Sequence, residues 1–180
     1  MQLTLTSLFT LMAICINMPS AFAGRAASAW SVVQKAASTS SDQLQYYVQV
    51  GLGPSDQIGT LIAPIDRTGS SGTFGETQLF AFNVTQGADR ASKLLGSLRG
   101  YAIQTSSTAD FRGIEVEILA YDDGSVNGTI SLQGLINVGT NEIAIIGGTG
   151  DFRGARGYGI IAFVSSTATV NLFHHHLFFL

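Results

Sequence analysis

The stretch Ile114-Glu115-Val116-Glu117-Ile118 alternates apolar and acidic side chains with a period of two. Successive side chains of a β-strand point to opposite faces, so this pattern is typical of a strand with one buried and one solvated face. We expect the isoleucines and the valine to face the core and both glutamates to lie on the outer face. The opposite assignment stays open, in which the two glutamates line an interior cavity as a carboxyl pair of the kind that glycosidases use.

The same period extends over most of the chain. Phe80, Phe82 and Val84 alternate, and further strands are predicted at 44–52, 58–63, 94–104, 126–132, 142–146, 158–164 and 168–173. Gly- and Asp-rich turns separate these short strands, and no amphipathic helix is evident. The pattern predicts an all-β fold, either a sandwich or a barrel. Glycines inside the strands favour an eight-stranded antiparallel β-barrel, which can hold one small ligand.

Composition excludes several classes of protein. Charged residues make up 12% of the 180 residues, hydrophobic residues make up 46%, and the net charge is −3. An apolar chain of this kind is not typical of a disordered protein. It also lacks the basic footprint of a nucleic-acid-binding protein, so we expect no nucleic-acid partner.

The N-terminus predicts export. An uncharged apolar run over 3–16 precedes Ala21-Phe22-Ala23, which is the pattern of a secretory signal peptide cleaved after Ala23. We therefore divide the chain into a signal peptide (1–23), a flexible arm (24–43) and one barrel domain (44–180). The mature protein is expected to be secreted, and it should not associate with a membrane once the signal is removed.

Cofactor and metal chemistry has little support in the sequence. The single cysteine, Cys15, lies in the predicted leader. Within a strand only two residues of His174-His175-His176 could share a face, and zinc normally takes three or four protein ligands. We expect no metal site and no cofactor, and we interpret the histidines as a polar patch in a terminal strand.

The most distinctive motif is Gly147-Gly148-Thr149-Gly150-Asp151-Phe152-Arg153-Gly154-Ala155-Arg156-Gly157-Tyr158. Its glycine spacing does not fit a nucleotide-binding fingerprint, and a strand rather than a helix follows it. The residues alone leave two interpretations open. The motif is either a rigid strand connection or a place where an Arg or Asp side chain reaches a ligand at the barrel mouth.

This motif resembles the signature of the plant dirigent proteins. Phe74-Gly75, Thr85-Gln86-Gly87 and 92–100 also match dirigent segments at the family's spacing, and Asn127-Gly128-Thr129 resembles a further one. The resemblance covers nearly the whole mature chain. It implies an eight-stranded antiparallel barrel of the dirigent and allene-oxide-cyclase type, a homo-oligomer (dimer or trimer), and secretion to the apoplast.

The resemblance also implies a function. Dirigent proteins impart stereoselectivity on the coupling of phenoxy radicals, which a laccase or peroxidase makes from monolignols such as coniferyl alcohol in lignan biosynthesis. They have no oxidase activity, so this chain would be an orienting auxiliary more than a conventional enzyme. Two alternatives remain open: a cyclase or dehydratase acting on a quinone-methide-like intermediate through Glu115, Glu117 or Asp151, and a non-catalytic cell-wall or defence barrel that binds phenolics or saccharides.

The site residues follow from the same resemblance. Asp151 and Arg156 are predicted to be catalytic, as polar anchors at an apolar pocket, and the predicted substrate-binding residues are Gln49, Arg153, Phe82 and Tyr101. Gln49 stands near a family Asp and can form a hydrogen bond but cannot act as an acid. Tyr101 lies one place before the family's tyrosine, and an offset of one turns a strand side chain to the other face.

Two sequons predict a glycoprotein. Asn83-Val84-Thr85 and Asn127-Gly128-Thr129 both fit the acceptor pattern of a secreted chain. Asn127 follows a turn and is the better surface candidate of the two.

Overall fold

A computed structural model describes residues 43–51, 57–62, 74–106 and 112–180. The predicted signal peptide and all of the predicted arm except Gln43 lie outside these residues. In the described segments the chain forms nine β-strands: β1 (Gln43–Gly51), β2 (Gln57–Ile62), β3 (Thr77–Thr85), β4 (Leu94–Gln104), β5 (Arg112–Asp122), β6 (Asn127–Asn137), β7 (Asn141–Gly150), β8 (Gly157–Ser166) and β9 (Val170–Phe179).

The strands close into an eight-stranded antiparallel barrel. Strand order is β1-β9-β8-β7-β6-β5-β4-β3-β2, and an additional pairing of β1 with β3 closes eight of these strands into a ring. β2 pairs with β3 outside this ring. The predicted fold class is therefore confirmed. No helix in the described segments has the length and apolar character needed to cross a membrane.

Side chains that point into the barrel form the core. Val48, Val84, Leu119, Leu132 and Leu177 are nearly or completely buried. Because the side-chain period of a strand is two, each strand sends every second residue inward. The predicted shared face of Phe80 and Phe82 is confirmed, since their rings stack inside the barrel with centroids 5.0 Å apart.

The predicted orientation of β5 is wrong. Glu117 is buried and Ile118 is 40% exposed, so the acidic face of this strand points into the barrel and its apolar face points outward. Leu119 and Tyr121 continue the inward face and place it in the core. The full strand therefore buries the odd-numbered residues, which the five-residue pattern alone did not indicate.

The histidine run also differs from the prediction. β9 extends to Phe179 and carries His174, His175 and His176 as buried residues rather than as a polar patch. His175 faces the barrel interior, and His174 and His176 lie on the other face of the strand.

Candidate functional site

Three strands bring four polar side chains together inside the barrel. Glu115 and Glu117 come from β5, Tyr46 comes from β1 and His175 comes from β9. Tyr46 and His175 are partners in the register of two adjacent strands. β5 is not adjacent to β9 in the sheet, so Glu117 and His175 meet across the barrel interior. We call these four residues the polar cluster.

Hydrogen bonding in the polar cluster is uneven. His175 Nδ1 lies 3.1 Å from the hydroxyl of Tyr46 and 4.0 Å from Glu117 Oε2. The first distance is that of a hydrogen bond and the second is too long for one. Among the described residues, no amide, imidazole or hydroxyl donor reaches Glu117 Oε2. A carboxyl group is therefore buried with few of its usual partners.

Burial changes the proton affinity of both glutamates. Desolvation raises the pKa of Glu115 to about 7, although a hydrogen bond with Glu117 opposes the shift. Burial, the charge of Glu115 and the same hydrogen bond hold the pKa of Glu117 well above its usual range. Two carboxyl groups this close in an apolar site cannot both ionise easily. The pair therefore keeps a proton near neutral pH.

The other two members of the polar cluster stay uncharged. Burial lowers the pKa of His175 to about 3, with a smaller contribution from His174. Burial and the two glutamates raise the pKa of Tyr46 well above its ordinary value. Near neutral pH the imidazole is therefore neutral and the phenol keeps its proton, so the carboxyl pair is the acid of this site.

The polar cluster borders an apolar cavity of about 150 Å³. Glu115, Glu117 and His175 lie in its wall, and the apolar part of the wall consists of Val48, Val50, Phe82, Leu98, Ile136, Val138, Ile161, Phe163 and Phe173. The cavity reaches the β6–β7 hairpin, where Val138 is 37% exposed. Asn141 supports this hairpin, because its side chain accepts a hydrogen bond from the Asn137 amide and donates to the carbonyl groups of Asn137 and Gly139.

Of the predicted substrate-binding residues, Phe82 lies in the cavity wall. Gln49 is buried on the other face of β1, where its amide donates to Thr85 Oγ1 at 2.9 Å and to the Ala88 carbonyl at 3.2 Å. Tyr101 is 37% exposed and pairs with Val116, on the outer face of the barrel. Gln49 and Tyr101 are therefore placed away from the cavity.

Asp151, Arg153 and Arg156 lie in the connection between β7 and β8, and all three are exposed. Since β7 runs from one end of the barrel to the other, this connection is at the opposite end from the β6–β7 hairpin. Asp151 accepts a hydrogen bond from the Asn127 amide at 2.8 Å. Asp151 and Arg153 border a surface cleft of about 530 Å³, which is separate from the polar cluster. Their predicted roles stay predictions.

The asparagines of both sequons are exposed. Asn83 lies on the outer face of β3, and Asn127 begins β6 beside Asp151. Both positions could accept a glycan, and occupancy remains a prediction.

The raised pKa of Glu115 predicts that the stability of the protein depends on pH. The pKa of Glu115 is about 7 in the folded chain against 4.5 in its ordinary state. Below pH 4.5 the Glu115 carboxyl is protonated in both the folded and the unfolded chain, so its contribution to the free energy of unfolding is fully present there. As pH rises from 4.5 through 7, the unfolded chain ionises more readily and stability is lost. We expect Glu115→Gln to escape this loss.

Thermal or urea unfolding of Glu115→Gln and the unmodified protein across this pH range checks the prediction. The stability advantage of the variant should grow with pH and reach on the order of 2 kcal/mol, a figure reduced for the partial exposure of Glu115. Glu142→Gln, on the exposed face of β7, is the matched control. A constant difference between Glu115→Gln and the unmodified protein would contradict the raised proton affinity.

The chain is similar in sequence to two known proteins. Over 125 residues the chain is 34% identical to pterocarpan synthase 1 of Glycine max, a match that covers 67% of this chain and 66% of that protein. It is 38% identical over 104 residues to dirigent protein 11 of Arabidopsis thaliana, covering 55% of this chain and 53% of the relative. The chain thus spans slightly less than two thirds of the length of the first relative and about half of the second.

A solved structure shows the same architecture. The pterocarpan synthase dirigent protein PsPTS1 superposes with a TM-score of 0.68 at 27% identity, covering 76% of this chain and 92% of that chain. The family model described as dirigent-like protein matches residues 41–179, which includes every strand of the barrel. The chain therefore belongs to the dirigent family.

Proposed function

We propose that this dirigent-family protein is a synthase that cyclises a phenolic substrate by acid-assisted loss of water, with Glu115 and Glu117 as the acid–base pair. The observation that carries the proposal is the polar cluster itself, two carboxyl groups that share the wall of an apolar cavity. Burial raises the pKa of both groups. A buried acid with a raised pKa is the group that general acid catalysis needs near neutral pH. Similarity to pterocarpan synthases supports a synthase activity.

The proposed reaction balances without an oxidant. A phenolic benzylic alcohol receives the proton of one carboxyl group on its alcohol oxygen, the C–O bond breaks and water leaves. The ionised carboxylate takes the phenolic proton, which leaves a neutral quinone methide. A second hydroxyl of the same molecule then forms a C–O bond at the exocyclic carbon and gives its proton to the first carboxylate. The ring oxygen recovers its proton from the second carboxyl group, so the pair returns to its starting state.

The size of the cavity favours a reaction within one molecule. An apolar cavity of about 150 Å³ can hold a molecule of the size of benzene. This cavity has that volume, so it fits one aromatic ring while the rest of the substrate lies toward the β6–β7 hairpin. Coupling of two radicals would require two rings to be held together.

Turnover without an oxidase tests the proposal. We expect the protein to convert a benzylic alcohol with two phenolic hydroxyl groups into a cyclic ether, with loss of one water and with enantiomeric excess on a chiral column. A parallel reaction supplies coniferyl alcohol and a laccase. If only the laccase reaction shows enantiomeric excess, the synthase proposal is wrong and radical orientation is correct. If the folded protein changes neither reaction, a non-catalytic binding role replaces both.

Radical orientation is the second candidate function. Phe82, Phe163 and Phe173 all line the cavity, and aromatic side chains hold flat rings by stacked or edge-to-face contacts. Orienting a radical would use this wall and would not need the carboxyl pair. Under this alternative the lignan-type product would keep its enantiomeric excess when both glutamates are replaced by glutamine.

Secretion and a homo-oligomeric state belong to the same proposal. Both rest on the sequence pattern of the N-terminus and on the family resemblance. Expression in plant cells, followed by mass spectrometry of the secreted chain, tests cleavage after Ala23 and glycans at Asn83 and Asn127. Light scattering of the same sample gives the number of subunits.

A further inference from the structure

The hydrogen bond between Tyr46 and His175 lies beside the carboxyl group of Glu117. His175 Nδ1 is 4.0 Å from Glu117 Oε2, so a small movement would let an imidazole N–H donate to the carboxyl group. Such a donor would stabilise the ionised form and weaken the acid. His175 is therefore a member of the polar cluster that would weaken the acid if its Nδ1 carried a hydrogen. Retention of the acid form requires that Nδ1 does not donate to Glu117.

Tyr46 supplies the constraint. It is completely buried, and its hydroxyl contacts His175 Nδ1 at 3.1 Å. A buried hydroxyl without an acceptor is costly, and a neutral imidazole has one nitrogen that accepts and one that donates. Donation from the phenol to Nδ1 satisfies the buried hydroxyl and the accepting nitrogen of the imidazole. It also places the imidazole proton on Nε2, so Nδ1 has no hydrogen to offer to Glu117.

We propose that Tyr46 is a positioning residue, which holds His175 Nδ1 as an acceptor and thereby keeps the Glu115–Glu117 pair in its acid form. The inference deepens the proposed function and rests on it, because it explains what maintains the acid on which the reaction depends. It adds a role for two residues that do not exchange protons with the substrate.

No other described titratable group faces the carboxyl pair from the neighbouring strands. The residues opposite Glu115 and Glu117 on β4 and β6 are Ala102, Gly134, Gly100 and Leu132. His174 influences His175 only from the other face of β9. Tyr46 and His175 are therefore the described groups through which a substitution in a facing strand can alter the titration of the pair.

Tyr46→Phe tests the inference while keeping the ring in the core. Loss of the hydroxyl frees His175 Nδ1 to carry a hydrogen and to donate a hydrogen bond to Glu117. We expect the titration midpoint of the carboxyl pair, followed by the infrared band of the protonated acid, to fall by about one pH unit. Turnover at a pH above the midpoint should fall about tenfold, with the loss recovered at lower pH.

A double variant and a matched control make the test specific. In Tyr46→Phe combined with His175→Phe the released donor is absent, so the midpoint should return to that of the unmodified protein or higher. Tyr47→Phe makes the same change on the other face of β1, beside His174, and should leave the midpoint unchanged. An unshifted midpoint in Tyr46→Phe, or an equal decrease in the double variant, would overturn the inference.

The infrared measurement needs no substrate, which separates the two proposals. A shifted midpoint in Tyr46→Phe without any turnover in the unmodified protein would reject the synthase and retain the positioning role. Turnover by the unmodified protein together with an unshifted midpoint in Tyr46→Phe would retain the synthase and reject the positioning role. If Tyr46→Phe does not fold, His175→Phe alone decides, because the inference expects its midpoint to stay or rise and a decrease would contradict it.

Discussion

Replacing Glu117 by glutamine is expected to reduce turnover of the closed-shell phenolic probe by about 10²–10⁴-fold, the usual contribution of a general acid or base. Glutamine has nearly the same shape as a protonated glutamic acid, so the cavity should keep its form. It cannot transfer a proton, and it removes the carboxyl group whose pKa is held well above its usual range by burial and by Glu115. The loss should appear in kcat more than in KM.

Circular dichroism and unfolding curves must show that the variant is folded. Glu142→Gln on the exposed face of β7 makes the same chemical change outside the barrel and should keep full turnover. If Glu117→Gln keeps more than about a tenth of the activity, Glu117 does not act as acid or base.

Substituting alanine for Gly157 is expected to destabilise the barrel more than any other single change discussed above. Gly157 opens β8 with φ +147°, and a Cβ built there would lie 1.9 Å from the Phe178 carbonyl oxygen. That oxygen belongs to the backbone of β9, whose pairing with β8 fixes its position. We expect a loss on the order of 3–5 kcal/mol, the upper range for one substitution.

Gly147→Ala is the control for this prediction. It lies in the same motif, and its added Cβ would meet no atom within 4 Å. Urea unfolding should therefore find the Gly147 variant close to the unmodified protein and the Gly157 variant strongly destabilised. Equal effects would mean that the motif tolerates or rejects side chains for a reason other than close backbone contact.

Strand positions could be predicted well because alternation depends only on nearest neighbours. Alternation predicts that Phe80 and Phe82 share one face of a strand, and the number of short strands and the glycines within them predict the barrel. Closure depends on the pairing of β1 with β3, which joins residues far apart in the chain. The sequence pattern supports a barrel over a sandwich but does not show which strands meet.

The polar cluster was harder to predict. The pattern of 114–118 is compatible with either face of β5 being buried, and hydrophobicity favoured the wrong one. The signal that could have corrected this was the continuation to Leu119 and Tyr121, which share a face with the glutamates and are buried. No sequence motif links Tyr46 and His175 to Glu117, because these residues come together across the barrel and not along the chain.

The central claim is that the barrel interior holds a proton on its carboxyl pair near neutral pH. NMR titration of the glutamate side-chain carboxyl carbons measures this directly, with Glu115→Gln and Glu117→Gln assigning the signals. We expect one signal of the pair to titrate at a pH of about 7 and the other to remain protonated well above the usual range of a glutamate. Titration of both near 4.5, the ordinary glutamate value, would contradict the claim.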